Sequence, residues 1–381
     1  MRKLTRVAIV AMIVLAISTS RTATENATDL IVHEWGTFTS IAGEEGHAVP
    51  WFPLAGPPDL PSFVQRAWNV PPKARCIATV RMETPVLYFY TPHELVLNVN
   101  VGFPQGFITE YFPRATVGPA HVEPSSITTA GFRSTITWDG VRIVPHAEAR
   151  FPTESAPNHY YEARDTDAAP LLVGAERERF LFYRGVGTFP LPLSARVAPG
   201  GEIEVANLGS DEIPALLLFE SRDGQVGYEL HPALADRATL RPPALDDEPA
   251  SVRTTLEQIL VAQGLYPKEA SAMVATWSDA WLEEGTRLFY IVPQPVVDRT
   301  LPLEIDPAPA RVARVFVGRL ELVTTATLTD LEDALWTNDQ ARLAKLGRFL
   351  QPFGNRPPTR YLRNGEYADA VGDGALEVTW R

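Results

Sequence analysis

Cysteine is almost missing from this 381-residue chain: Cys76 stands alone, so no internal disulfide can form and cohesion must come from a packed core. Long apolar runs are missing too, apart from one near the start. Arg2, Lys3 and Arg6 precede an unbroken apolar stretch from Val7 to Ile17, and the small residues Ser18, Thr19 and Ser20 follow it. That order predicts a secretory signal peptide over residues 1–20. Eleven apolar residues make about 16 Å of helix against a membrane core of roughly 30 Å. No stable membrane span is therefore expected after signal cleavage, and the mature protein is expected to be periplasmic or secreted. Positive charge is also scarce, with 34 basic side chains against 46 acidic ones and three of the basic ones in the leader. A formal charge of −12 repels phosphate backbones, so no nucleic-acid partner is expected.

The usual signatures of catalysis are lacking as well. There is no G-x-S-x-G elbow, and Gly185 and Gly187 in "RGVG" have neither the lysine nor the glycine spacing of a phosphate loop. "HEWGT" opens like a zinc protease motif, but the position four residues after His33 is Thr37, not histidine. No histidines occur at the spacings that put two ligands together on a strand or helix, so neither metal nor cofactor is expected. Cys76 has no nucleophile signature around it; burial as a small apolar residue and activation by Arg75 both remain open.

What is present is strand patterning. In "ELVLNVNVGF" Leu95, Leu97, Val99, Val101 and Phe103 alternate with Val96, Asn98, Asn100 and Gly102, which predicts a strand with one buried and one wet face. "VLYFY" precedes it across Thr91–Glu94, a hairpin spacing, and Asp139-Gly140 and Asp223-Gly224 carry two-residue hairpin signals. After "RPPALDDEPAS" the texture becomes helical, from Ser251 to Gln263 and from Pro267 to about Glu284, with Gly264 and Gly285 just past the ends. Ala270, Met273, Trp277 and Trp281 then share one packing face. "TDLE" at Thr329–Glu332 has capping-box spacing and announces a last helical region.

The expectation is a mainly β protein with a smaller α+β part. It divides into an antiparallel β-sandwich-like domain over 28–245, an α+β domain with two amphipathic helices and a C-terminal helix over 246–352, and an irregular tail over 353–381. The segments "HEWGTFTSIAGEEG", "RMETPVLYFY", "HYYEARDTDAAPL", "FLFYRGVGTF" and "WLEEGTRLFYIVP" resemble those of an uncharacterised family of exported bacterial proteins. The resemblance spans about residues 33–292 and implies export; it assigns no activity and no site residue.

Polar density nominates the site. "NHYYEARDTD" gathers His159, Tyr160, Arg164 and Asp167 between proline-marked turns, as a ligand loop would, although a solvated loop with an internal Arg–Asp pair reads equally well. Arg81, Glu83 and Arg184 abut buried strands, either as ion pairs or as an acid–base group with its anion clamp. His33 and Glu34 should point to opposite faces of a strand. The leading expectation is a non-catalytic binding or structural protein outside the cytoplasm, meeting a glycan or peptide through His33, Arg81, Tyr160, Arg164 and Arg184. The alternative is a glycan or peptide hydrolase with Glu83, His159 and Asp167 as catalytic candidates, with or without a metal assembled from distant segments.

Overall fold

The computed structural model describes residues 28–54, 59–67, 76–120, 124–148, 150–346 and 348–353. The expected leader, and the expected tail beyond its first residue, lie outside the described residues. In chain order the first strands are β1 (Thr28–Ile41), β2 (Gln65–Arg66), β3 (Val80–Tyr90), β4 (Leu95–Pro104), β5 (Gly106–Phe112), β6 (Thr116–Gly118) and β7 (Arg133–Ile143). Next come β8 (Leu171–Val173), β9 (Glu176–Glu178), β10 (Leu181–Gly187), β11 (Leu193–Val197), β12 (Ile203–Asn207), β13 (Leu216–Arg222), β14 (Gln225–His231) and β15 (Arg237–Leu240). The remainder is α1 (Pro249–Ala262), α2 (Pro267–Trp281), β16 (Gly285–Val292), α3 (Gln294–Thr300), β17 (Leu303–Asp306), β18 (Pro309–Leu322), α4 (Thr325–Trp336) and α5 (Gln340–Leu346).

The protein is mainly β with a smaller helical part. Its centre is a nine-stranded sheet in the order β14-β13-β16-β18-β1-β3-β10-β5-β2. Alternating side chains give this sheet two apolar faces. One face carries Val32, Phe38, Met82, Tyr183, Leu288 and Phe316, and packs on a six-stranded sheet (β17-β4-β7-β8-β9, with β6 on β7) and a three-stranded sheet (β11-β12-β15). The other carries Trp35, Tyr88, Phe182, Phe289 and Val317, and lies under α1 and α2, whose Leu256, Leu260, Met273, Trp277 and Trp281 fill the interface. Burial on both sides explains why "VHEWGTFTS" holds no exposed residue from Val32 to Ser40. No helix among the described residues is long and apolar enough to cross a membrane.

Much of the patterning holds in detail. Leu97, Val99, Val101 and Phe103 of β4 are buried while Val96 is 57% exposed, and the stripe Ala270, Met273, Trp277, Trp281 is buried as expected. Asp223 and Gly224 both adopt positive φ between β13 and β14, the two-residue turn that a hairpin needs.

Four expectations are corrected. Asp139-Gly140 makes no hairpin: β7 runs through it, and the extra residue is absorbed as a bulge opposite Asn98, whose Oδ1 accepts from the Gly140 N–H at 2.8 Å. Thr91–Glu94 joins strands of different sheets, because β3 pairs with β1 and β10 while β4 pairs with β7 and β17. α4 begins at Thr325, and its cap is Thr324, which accepts from the Thr327 N–H at 3.1 Å; Thr329 instead bonds back to the Thr325 carbonyl. Finally, the boundary expected near residue 245 does not separate two sheets. β16 and β18 sit between β13 and β1 in the central sheet, with β18 parallel to β1 along its length.

Candidate functional site

The helix-covered face of the central sheet ends in a row of charged side chains that crosses six neighbouring strands. On β5 and β10, Glu110 lies opposite Arg184 and their side chains meet at 2.9 Å. On β3, Arg81 Nε is 3.3 Å from Glu83, whose second oxygen accepts from Thr39 of β1 at 3.0 Å. On β18 and β16, Arg319 and Arg287 share Glu321 at 2.5 and 3.1 Å. These groups are nearly all buried, so each charge needs a partner within the row.

Asp59 joins this row from outside the sheet. Arg184 grips its two oxygens at 2.7 and 2.8 Å, a bidentate fork, and Arg81 adds a third contact at 3.3 Å. Burial alone would raise the Asp59 carboxyl; the Arg184 and Arg81 charges override it and hold it well below the usual carboxylate range. Arg184 also holds Glu110 low against the effect of burial. His159 lies within electrostatic reach of Asp59, Arg184 and Glu83, and burial pushes its imidazole below the ordinary value despite the Asp59 charge. Its ring packs on Trp277 at 5.8 Å, and its Nε2 is buried without a hydrogen-bond partner.

The backbone is distorted at the same level. The β1–β3 register shifts between Trp35 and Thr37, and the pairings of β10 shift next to Arg184 and Gly185. Thr84, beside Glu83, has φ of 48°, a region costly for a β-branched residue. Bulges of this kind re-aim side chains, and here they bring Glu83 and Arg184 into one cluster.

The other nominated residues lie elsewhere. His33 Nδ1 meets Glu269 at 2.7 Å under Tyr266 and Tyr90, with both partners fully buried. Glu34 points to the opposite face, where Tyr183 and Arg314 each approach it at 2.5 Å. In "NHYYEARDTD", Asn158 caps a short 3-10 turn, His159–Arg164, by accepting from the Tyr160 N–H. Arg164 is forked onto the buried Glu178 at 2.6 to 3.2 Å, and Tyr160 donates to the same carboxylate at 3.2 Å. Burial nevertheless pushes the Glu178 carboxyl up. The rings of Phe63, Phe151, Tyr160 and Tyr161 surround the guanidinium of Arg164, so it has no free face for a ligand.

The structure therefore brings Arg81, Glu83, Arg184 and His159 together, and separates them from His33, from Tyr160 with Arg164, and from Asp167. Glu83 and Asp167 do not form a catalytic carboxylate pair: Glu83 is 2% exposed in the Arg81 pair, while Asp167 is an exposed partner of Lys268. Nor do His33 and His159 converge, because each is bound into a different cluster. Among the described residues no group of three metal-ligating side chains gathers. The residues missed by the sequence reading are Asp59, Glu110, Glu178 and Glu269. Only Glu269 carried a local signal, as the third residue of a helix opened by Pro267, where it caps the Tyr266 N–H at 2.7 Å.

A separate open groove of about 470 Å³ lies at the far end of α2 from the Asp59 cluster. Its walls are Tyr90 and Thr91, Pro145 and Ala147, the run Thr166–Pro170, and Arg179. Asp167 at its rim pairs with Lys268 in the first turn of α2, and Arg179 is spent on the Thr166 and Ala168 carbonyls at 3.1 and 2.7 Å.

No protein-family model matches the sequence, and no curated protein matches it. Among solved structures the chain is similar to the yeast delta-COP-I mu-homology domain, alone and complexed with a Dsl1 WxWxV peptide. Both are 8% identical with a TM-score of 0.27, over 77% of this chain and 95 to 96% of theirs. A likeness at that level carries no argument.

Proposed function

We propose that the protein acts outside the cytoplasm as a non-catalytic binding protein, taking a segment of glycan or peptide in the groove beside Tyr90 and Asp167. The observation that carries this reading is the chemistry of the walls. The groove offers an aromatic ring, prolines and small residues that suit a flat chain segment, and its charged residues are one carboxylate and one arginine already bonded to backbone. A glycosidase-like mechanism needs two carboxyl groups about 5 to 10 Å apart; the groove has Asp167 alone. The strongest acid–base candidate, Glu83, is committed to Arg81 and Thr39.

Isothermal titration of the mature chain with a panel of oligosaccharides and short peptides tests this. Saturable binding is expected, and Ala147→Trp, which fills the groove from an exposed position, should weaken it by about tenfold, or 1.4 kcal/mol. Binding that survives Ala147→Trp would place the ligand elsewhere. Turnover of a bound probe would replace the reading with the hydrolase alternative.

A further inference from the structure

We propose that Arg81 and Arg184 form a receptor for a ligand carboxylate, and that Asp59 occupies it as an internal latch in the unliganded chain. This site is distinct from the groove: Lys268, which pairs with Asp167 at the groove rim, and Trp277, which packs on His159, are roughly 14 Å apart along α2.

The two guanidinium groups also have partners other than Asp59, on the strands and, for Arg81, at Pro53 outside the sheet. Glu110 holds Arg184 Nε at 2.9 Å; Glu83 faces Arg81 Nε at 3.3 Å, and the Pro53 carbonyl accepts from Arg81 Nη1 at 3.1 Å. Each arginine thus has its own carboxylate on the strands, and Asp59 is a third anion on two cations. It is also the most exposed of the group, with a side chain 33% accessible against 8% for each arginine. Asp59 reaches the fork from the solvent side, with its carbonyl held by Asn158 Nδ2 at 3.1 Å. A carboxylate arriving from solvent would take the same path and the same bidentate geometry.

His159 points to the rest of the ligand. Its buried Nε2 has no partner while Asp59 fills the fork, although the ring lies within electrostatic reach of Asp59 and Arg184. A buried polar atom left unpaired costs free energy. A ligand that carries a hydrogen-bonding group next to its carboxylate would satisfy the imidazole, and Asp59 does not. The chemistry is therefore a carboxylate flanked by a polar group, as at a peptide C terminus or on a sugar acid.

The test compares wild type with Asp59→Ala in the full mature chain. The probes are an acetylated dipeptide with a free C terminus, the same dipeptide as its amide, and glucuronate, followed by titration calorimetry and melting temperature. An occupied latch lowers apparent affinity by the fraction of time the fork is free. The variant should therefore bind a free-carboxylate probe about tenfold or more tighter than wild type, and the amide should show no such gain. The dipeptide and glucuronate arms separate a peptide terminus from a sugar acid. Adding Arg184→Gln to Asp59→Ala should abolish that gain. Equal affinity in wild type and variant, equal binding of acid and amide, or no carboxylate binding to the variant each overturns the proposal. Should Asp59→Ala fail to fold, Asp59→Asn keeps the shape without the charge and is read by the same criteria.

Discussion

Glu34 and Arg314 illustrate how a buried charge is tolerated in this chain. The carboxylate is fully buried at the centre of β1, and it survives because Arg314 and Tyr183 both bond to it while Asp298 holds the far side of the guanidinium at 2.9 Å. Removing one partner leaves the other uncompensated, which costs about 3–5 kcal/mol; neutralising both leaves no stranded charge and avoids most of that penalty. Arg314→Met should therefore lower the urea midpoint sharply, and Glu34→Gln combined with Arg314→Met should recover a large part of the loss. His159 supplies a second residue-level expectation, in pH. Because its folded pKa lies below the ordinary value near 6.5, the unfolded chain takes up the proton first, and stability falls as pH drops from about 6.5 through the folded value. His159→Gln should remove that component, seen as a smaller difference in urea midpoint between pH 7.5 and 5.5. At this scale the sequence was informative about which charges matter and silent about their partners. Arg81, Glu83 and Arg184 are visible as charges abutting apolar strands, yet Asp59 and Glu110 lie 125 and 74 residues from Arg184. No local pattern connects them.

At the scale of elements, the bulged middle of β1, β3 and β10 separates a plain sheet from one that gathers charge. Gly185 is required there by close approach: a Cβ would overlap the carbonyl oxygen of Phe107 on β5, which is backbone and cannot turn aside. Gly185→Ala should destabilise by roughly 1–3 kcal/mol, the usual penalty for forced overpacking, and should lower the melting temperature accordingly. Thr84 makes the opposite expectation. Its positive φ stores strain that glycine would not feel, so Thr84→Gly should hold or raise stability while the neighbouring Glu83 contacts persist. Element identity was largely legible, since alternation and helix stripes are local: β4, the turn at Asp223-Gly224, and the buried face of α2 all follow from it. Asp139-Gly140 misled because the same two residues that turn a hairpin also make a bulge, and only the partner strand β4 decides between them. "TDLE" misled because Thr324 offered an earlier hydroxyl to the same helix.

For the whole molecule, sheet order is the property that sequence patterning leaves open, because it depends on pairings across hundreds of residues. The change of texture near residue 245 is real, yet β16 and β18 return to fill the gap between β13 and β1. Twelve-residue parallel pairing links β1 to β18, the first and last strands among the described residues, from Thr28 opposite Pro309 to Ile41 opposite Glu321. A chain cut at 245 would leave one edge of β1 and one edge of β13 unpaired, with Trp35, Phe289 and the α2 face no longer sealing one another. The fold should accordingly unfold as one unit. Fragments 28–245 and 246–381, expressed separately, should each lack cooperative thermal transitions by circular dichroism. In the intact chain, tryptophan fluorescence and far-ultraviolet ellipticity should report a single coincident midpoint, the mark of two-state behaviour. A folded 28–245 fragment with its own sharp transition would show that the central sheet can close without β16 and β18. The charged row, which runs across β16, β18, β1, β3, β10 and β5, would then have to assemble on two separate bodies, and Arg319 and Arg81 could no longer be fixed by a common sheet.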